Sequence, residues 1–163
     1  MNALFSAASR AFVSRNLVVA LLAGVSVSAV AQTRVEDPWV RTTVAGQPSS
    51  GAFMRITADT DSTLLSVSSP VAKDVQIHEM SMTNDVMRMG PVDAVPLPAG
   101  KTVALDPDGY HVMLMGLNGQ IKEGDQVPLT LTVKNAKGET ELVKVSAPAR
   151  AAMDMSHDHG MTH

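Results

Sequence analysis

Imidazole and thioether side chains are concentrated in a few short stretches of this chain. His78-Glu79-Met80 and His111-Val112-Met113 are both H-x-M triplets, and they carry the only two histidines upstream of His157. Met89 lies between them. The other three histidines, His157, His159 and His163, crowd a methionine-bearing C-terminal segment. The chain holds 11 methionines and no cysteine. Neutral nitrogen and sulfur donors without thiolate suit a soft monovalent ion, because thioethers bind Cu(I) well and Mg, Ca or Mn poorly. The chemistry indicated is copper binding. Taken singly, a strand histidine is more often a hydrogen-bonded partial-core residue than a ligand. A strand methionine is usually adaptable core filler, and Met54, Met82 and Met115 are read that way. Recurrence of the H-x-M pair is what packing does not account for.

The elements that must position these residues read as strands. Short stretches rich in Val, Ile, Leu and Thr are separated by Gly, Pro, Asp and Asn. The pattern predicts strands at Trp39–Thr43, Gly51–Ala58, Thr63–Ser68, Val75–Met82, Val86–Val92, Thr102–Leu105, Tyr110–Leu117, Gln126–Lys134 and Thr140–Ala147. Turn residues such as Thr83-Asn84-Asp85 and Asp106-Pro107-Asp108-Gly109 separate them. No segment beyond the N-terminal apolar run sustains helical periodicity. The fold class expected is therefore all-β, a sandwich or barrel, with an aliphatic core, since the chain has only five aromatic residues.

Strand alternation groups the candidate ligands. In a hairpin turning at Thr83–Asp85, His78, Met80 and Met82 share one side. A loop of even length brings Met87 and Met89 to that side as well. Alternation likewise groups His111, Met113 and Met115. Two strand segments, each bearing a histidine and methionines, can converge on one Cu(I).

Arg10 and Arg15 precede an apolar run from Leu17 to Val30 that ends in Ala29-Val30-Ala31. This reads as a secretory signal peptide over residues 1–31, cut after Ala31. The run is short for a membrane span, which needs about 20 residues. Lipidation at this end would need a cysteine. The expected address is the periplasm, with no stable membrane insertion after cleavage. Both of those arginines fall in the signal, so the remainder has 11 basic and 16 acidic residues and a net charge of −5. Mild acidity argues against nucleic acid as a partner. Without cysteine the fold must rest on its own core. The predicted division is a signal over 1–31, a copper-binding domain over 32–147 and a flexible tail over 148–163.

Ten residues separate His78 from Met89, twenty-one separate Met89 from His111, and Met113 completes the second triplet. This spacing resembles the signature of the PCuAC family of periplasmic copper chaperones at all four ligand positions. Trp39-Val40-Arg41, Gly51-Ala52-Phe53-Met54, Val86-Met87-Arg88-Met89, Leu114-Met115-Gly116-Leu117 and Glu123-Gly124-Asp125 resemble the family too. The similarity spans about Trp39 to Ala147. The resemblance implies a cupredoxin-like Greek-key β-barrel or sandwich that binds one Cu(I) through His78, Met89, His111 and Met113. It also implies delivery to the copper centre of a respiratory cytochrome c oxidase, through its copper-binding subunit or another assembly protein. Met80 is held as a reserve ligand.

The tail offers Met153, Met155, His157, His159, Met161 and His163 as accessory donors. Imidazole and carboxylate suit Cu(II), and thioether suits Cu(I). A blue-copper electron carrier would need a Cys ligand. An enzyme would need a nucleophile motif, a phosphate loop or clustered carboxylates, none of which is present. The expected protein is a monomeric copper chaperone and not an enzyme. The competing function is a periplasmic copper buffer or resistance protein with no dedicated acceptor.

Overall fold

The computed structural model describes residues 32–152. The signal over 1–31 and the tail donors from Met153 onward lie outside the described residues. Ten strands follow one another in the order β1 (Thr33–Arg41), β2 (Ser49–Ala58), β3 (Ser62–Ser68), β4 (Ala72–Thr83), β5 (Val86–Pro91), β6 (Val95–Leu97), β7 (Thr102–Leu105), β8 (Tyr110–Leu117), β9 (Gln126–Asn135) and β10 (Thr140–Arg150). Hydrogen bonding links them as β5-β4-β8-β7-β2-β1-β10-β9-β3-β6, with β8 also paired to β2. The all-β class read from the sequence is the one observed.

Period-two alternation builds the core. Along β9, Val127, Leu129, Leu131 and Val133 are buried, while the residues between them are half-buried or exposed. The sheet folds over on itself, so these side chains meet Ala52, Met54 and Ile56 of β2, Ile77 of β4 and Val112 and Leu114 of β8 in one buried cluster. Each large aliphatic side chain so buried contributes roughly 1.5–3 kcal/mol. Met54 is core filler, as read from the sequence.

Three features depart from the sequence reading. First, β1 starts six residues earlier, at Thr33. Asp37-Pro38 breaks the pattern without ending the strand: the register against β2 shifts between Glu36 and Trp39, and Asp37 has φ 46°. The bulge reverses the facing of the strand. Val35 packs against the core, yet Trp39 turns to the outer face and stacks on Phe53 at 4.6 Å. Second, β6 is an additional strand hidden among Pro91, Pro96 and Pro98. It lies at the sheet edge, where a missing N–H is tolerated, and buries Val95 and Leu97. Third, Pro148 does not end β10. Alternation continues through the buried Ala147 and Ala149, and Ala149 and Arg150 pair in parallel with Val40 and Arg41.

The last point is testable by truncation. Ending the chain at Ala147 removes, besides the ladder pairing of residues 148–150, three backbone hydrogen bonds, Thr42 N–H to Arg150 O, Gly124 N–H to Ala149 O and Ala149 N–H to Asp125 O. At about 1 kcal/mol net for each bond, the thermal midpoint should fall by roughly 10 °C. A chain ending at Ala152 should melt as the full chain does. Equal midpoints for the two truncations would contradict this role for Pro148–Arg150.

Candidate metal centre

The candidate ligands sit on the outer face of one end of the sheet. In β4 the odd-numbered side chains Val75 and Ile77 pack toward the core. Asp74, Gln76, His78, Met80 and Met82 therefore share the opposite face. In β8 the even residues Val112 and Leu114 are core, which leaves His111, Met113 and Met115 outside. Registers then join the two sets. His78 lies directly opposite His111, Met80 opposite Met89, and Met113 opposite Gly51 of β2. The β4–β5 loop is Asn84-Asp85, with φ 52° and 59°. A two-residue turn with both φ positive is the hairpin type that matches strand twist. Its even length puts Met87 and Met89 on the ligand face.

Two hydrogen bonds decide what each histidine offers. The Nδ1 of His111 lies 3.1 Å from the Gly109 carbonyl oxygen. A carbonyl oxygen only accepts, so Nδ1 carries the proton and the neutral ring bears its lone pair on Nε2. That Nε2 faces the sulfur of Met89 at 3.1 Å. In that tautomer no proton lies between the two atoms, and each presents a lone pair to the same space. Donors about 2.0 Å (nitrogen) and 2.3 Å (sulfur) from a metal ion are themselves roughly 3.0–3.5 Å apart at angles between right and tetrahedral.

For His78 the same logic runs the other way round the ring. The Gln76 amide nitrogen donates to the Asp74 carboxylate at 2.8 Å, which turns the Gln76 carbonyl oxygen toward His78 Nε2 at 3.0 Å. His78 Nε2 therefore carries the proton, and its lone pair is on Nδ1. That Nδ1 is buried and has no hydrogen-bond partner among the described residues. An orphaned buried acceptor is costly, and a bound ion would satisfy it. Burial holds the His78 pKa below its ordinary value, helped by neighbouring His111 and opposed by Asp74. Its lone pair thus stays available under mildly acidic conditions.

The surroundings fix these partners. Asp106 Oδ1 accepts from Asp108 N–H and Gly109 N–H at 3.0 and 2.9 Å, which locks the loop before β8. The Gly109 carbonyl accepts Met80 N–H as well as His111 Nδ1–H. A hollow of about 290 Å³ is lined by Met80, Met89, His111 and Met113 together with Arg41, Ser50, Gly51 and Phe53. A Cβ at Gly51 would lie 2.7 Å from the Phe53 ring, so only glycine lets that ring lie beneath the hollow. A larger hollow of about 460 Å³ on the other side of Phe53 includes Trp39 and Asp106 but no imidazole or pair of thioethers.

The structure thus brings Met80, Met89, His111 and Met113 around one hollow. His78 stands behind, its ring centroid 5.9 Å from that of His111. Met80, held as a reserve ligand, lines the hollow with the other three. Met82 is no core filler: it is 67% exposed at the end of the hairpin, because β4 outruns β8 there. Among the described residues, no three His, Cys, Asp or Glu side chains form a group that could hold an ion. The donor set is imidazole and thioether.

A profile of the family described as "Putative lipoprotein LpqE-like" matches residues 33–149. The chain belongs to the LpqE-like family. This is a PCuAC-type family. "Putative lipoprotein Lxx21020" of Leifsonia xyli subsp. xyli is 29% identical over 113 residues, covering 69% of this chain and 67% of its own length. Among solved structures, the copper-bound PCuAC domain from PmoF2 is 26% identical, with a TM-score of 0.59 over 76% of this chain and 96% of that one. The apo PCuAC domain from PmoF1 is 23% identical, with a TM-score of 0.59 over 73% and 93%. Apo-DR1885 from Deinococcus radiodurans is 24% identical, with a TM-score of 0.55 over 94% and 96%. The fold is the cupredoxin-like fold of PCuAC domains.

Gln76 gives the sharpest test of this geometry. Replacing it with leucine removes the acceptor that holds the His78 proton on Nε2, while the fold keeps its core. Loss of such a partner typically costs 10–100-fold in metal affinity, and Gln76→Leu should weaken Cu(I) binding by about that much in a competition titration. An affinity within about two-fold of the unaltered protein would show that Gln76 does not position the ligand.

Proposed function

We propose that this chain is an exported copper chaperone that binds one Cu(I) through His78, Met89, His111 and Met113. The observation that carries the reading is the 3.1 Å approach of His111 Nε2 to Met89 Sδ, with His111 Nδ1 turned to the Gly109 carbonyl. The buried Nδ1 of His78, without a hydrogen-bond partner among the described residues, supports it. So does family membership, since a PCuAC domain similar to this chain is described as copper-bound. Thioethers and neutral imidazoles favour the monovalent ion. Here copper is cargo, to be taken up and released. Met89 is 52% exposed while His111 is only 5% exposed: one side of the site is fixed in the sheet, and the other is open to an incoming acceptor.

Export is supported by the N-terminal sequence pattern and by the naming of relatives as lipoproteins. The acceptor proposed is the copper-binding subunit of a respiratory cytochrome c oxidase, or an assembly protein acting before it, on the strength of the resemblance to PCuAC chaperones. Activity of this kind is ligand exchange and not catalysis.

Met89→Leu and Met113→Leu nearly conserve volume, so each should cost less than about 1.5 kcal/mol of stability while severely weakening Cu(I) binding. X-ray absorption of the Cu(I) form should show sulfur scatterers beside nitrogen, and a shell of nitrogen and oxygen alone would contradict the site. Transfer from the loaded protein to a purified oxidase copper subunit separates chaperone from buffer. Efficient transfer supports a chaperone, and retention of copper in the presence of that subunit supports buffering.

We also propose that the tail carrying Met153, Met155, His157, His159, Met161 and His163 is an accessory site, in which the three imidazoles and the Asp154 and Asp158 carboxylates take Cu(II). Tethering at this length raises the local ligand concentration to roughly the millimolar range. A chain ending at Ala152 should keep the Cu(I) equivalent and lose a Cu(II) equivalent. If it still binds both ions, the tail is not a copper site.

A further inference from the structure

The end of the β4–β5 hairpin carries methionines that neither the core nor the main site uses. Pairing between β4 and β8 stops at Glu79↔Tyr110. Beyond it, the two hairpin strands pair, among the described residues, only with each other, through Met80↔Met89, Ser81↔Arg88, Met82↔Met87 and Thr83↔Val86. The methionine rungs alternate with the Ser81↔Arg88 rung, so all four thioethers project from one face, the face that also bears His78. Met82 is 67% exposed and Met87 51% exposed. Neither side chain is packed into the core cluster, so their apolar surface stays in water without the packing that normally repays it. Polar residues would serve a free hairpin end better.

We propose that Met82 and Met87 form a second, outer site for a soft monovalent ion, through which Cu(I) enters and leaves the main centre. Directly opposed strand residues have Cβ atoms about 4.5–5.5 Å apart, and two flexible thioethers based there can reach one ion between them. The next rung inward, Met80 and Met89, lies roughly 7 Å along the strands. Met89 in turn touches His111. The rungs form a short ladder from solvent to imidazole. Movement along it is ligand exchange: the Met80 and Met89 sulfurs bond to Cu(I) as its bonds to the Met82 and Met87 sulfurs break. Copper stays monovalent and no proton moves. Two thioethers hold an ion less firmly than a site with two imidazoles added, so the ladder runs downhill toward the centre. The inference rests on the Cu(I) reading of the main site and adds to it a route and a second set of ligands.

The test uses the full chain labelled with 13C at the methionine methyl groups and titrated anaerobically with Cu(I) as its acetonitrile complex. Methyl signals of Met89 and Met113 should shift with the first equivalent. Those of Met82 and Met87 should then shift together as further Cu(I) is added. The double variant Met82→Leu with Met87→Leu should reach the same occupancy of the main site, yet take Cu(I) from a competing chelator at least several-fold more slowly. Met82 and Met87 signals that stay in place while Met89 and Met113 respond would overturn the outer site and leave the main centre standing. Wild-type loading rates in the double variant would overturn the proposed route. Unmoved Met89 and Met113 signals would overturn the main centre, and this inference with it.

Discussion

The carbonyl oxygen of Gly109 is the constraint on which the site depends. It accepts the His111 Nδ1 proton and the backbone N–H of Met80, tying the start of β8 to the point where β4 leaves the sheet. One acceptor thus sets which nitrogen of His111 is free and where the methionine hairpin begins. The carbonyl is held in turn by the Asp106 side chain, which accepts the N–H groups of Asp108 and Gly109. A second and independent chain, Asp74 to Gln76 to His78, does the same for the other imidazole. The two histidines end up with opposite tautomers, each with one lone pair left unpaired with any donor proton. Partners of this kind are how proteins commonly fix the orientation and basicity of metal-binding histidines.

Rigidity and exposure are divided between strands. β8 runs beside both β4 and β2, so His111 and Met113 belong to the best-supported part of the outer face. Met89 comes from an edge strand whose only partner among the described residues is β4. A ligand on a free hairpin can move aside at little cost, whereas a ligand in the sheet interior cannot. That asymmetry suits a protein that must bind an ion and give it up. Beneath the hollow, the Asp37–Pro38 bulge turns Trp39 outward onto Phe53, and Gly51 leaves room for the Phe53 ring. The outer face therefore has an aromatic floor of its own, separate from the aliphatic core.

Much of this was legible in the sequence. The H-x-M triplets, the even hairpin loop and the strand alternation together place Met80, Met82, Met87, Met89, Met113 and the two imidazoles on the outer face. The elements that were missed share a physical cause. Asp37-Pro38, Pro96 and Pro148 look like strand breaks because proline cannot donate to a ladder, yet a bulge, an edge and a position beyond the last required donor each tolerate it. In the sequence Gly109 shows only as a turn residue, since a backbone carbonyl leaves no signature in side-chain identity. The Asp74-x-Gln76-x-His78 alternation places three polar side chains on the ligand face, but the hydrogen bonds between them appear only in the structure. From the sequence Met82 passes for core filler, because a single methionine gives no sign of its exposure. That depends on β4 outrunning β8, which only the register reveals.

The tautomers of the two histidines test the account most directly, and they can be read without copper. Long-range 1H–15N correlation spectra of the apo protein near neutral pH should show His111 protonated on Nδ1 with a free Nε2. They should show His78 protonated on Nε2 with a free Nδ1. Addition of one equivalent of Cu(I) should then move those two free nitrogens, and them above all. The same tautomer on both rings, or copper-induced shifts at the protonated nitrogens, would contradict the claim that hydrogen bonds from Gly109 and Gln76 set the lone pairs of the site.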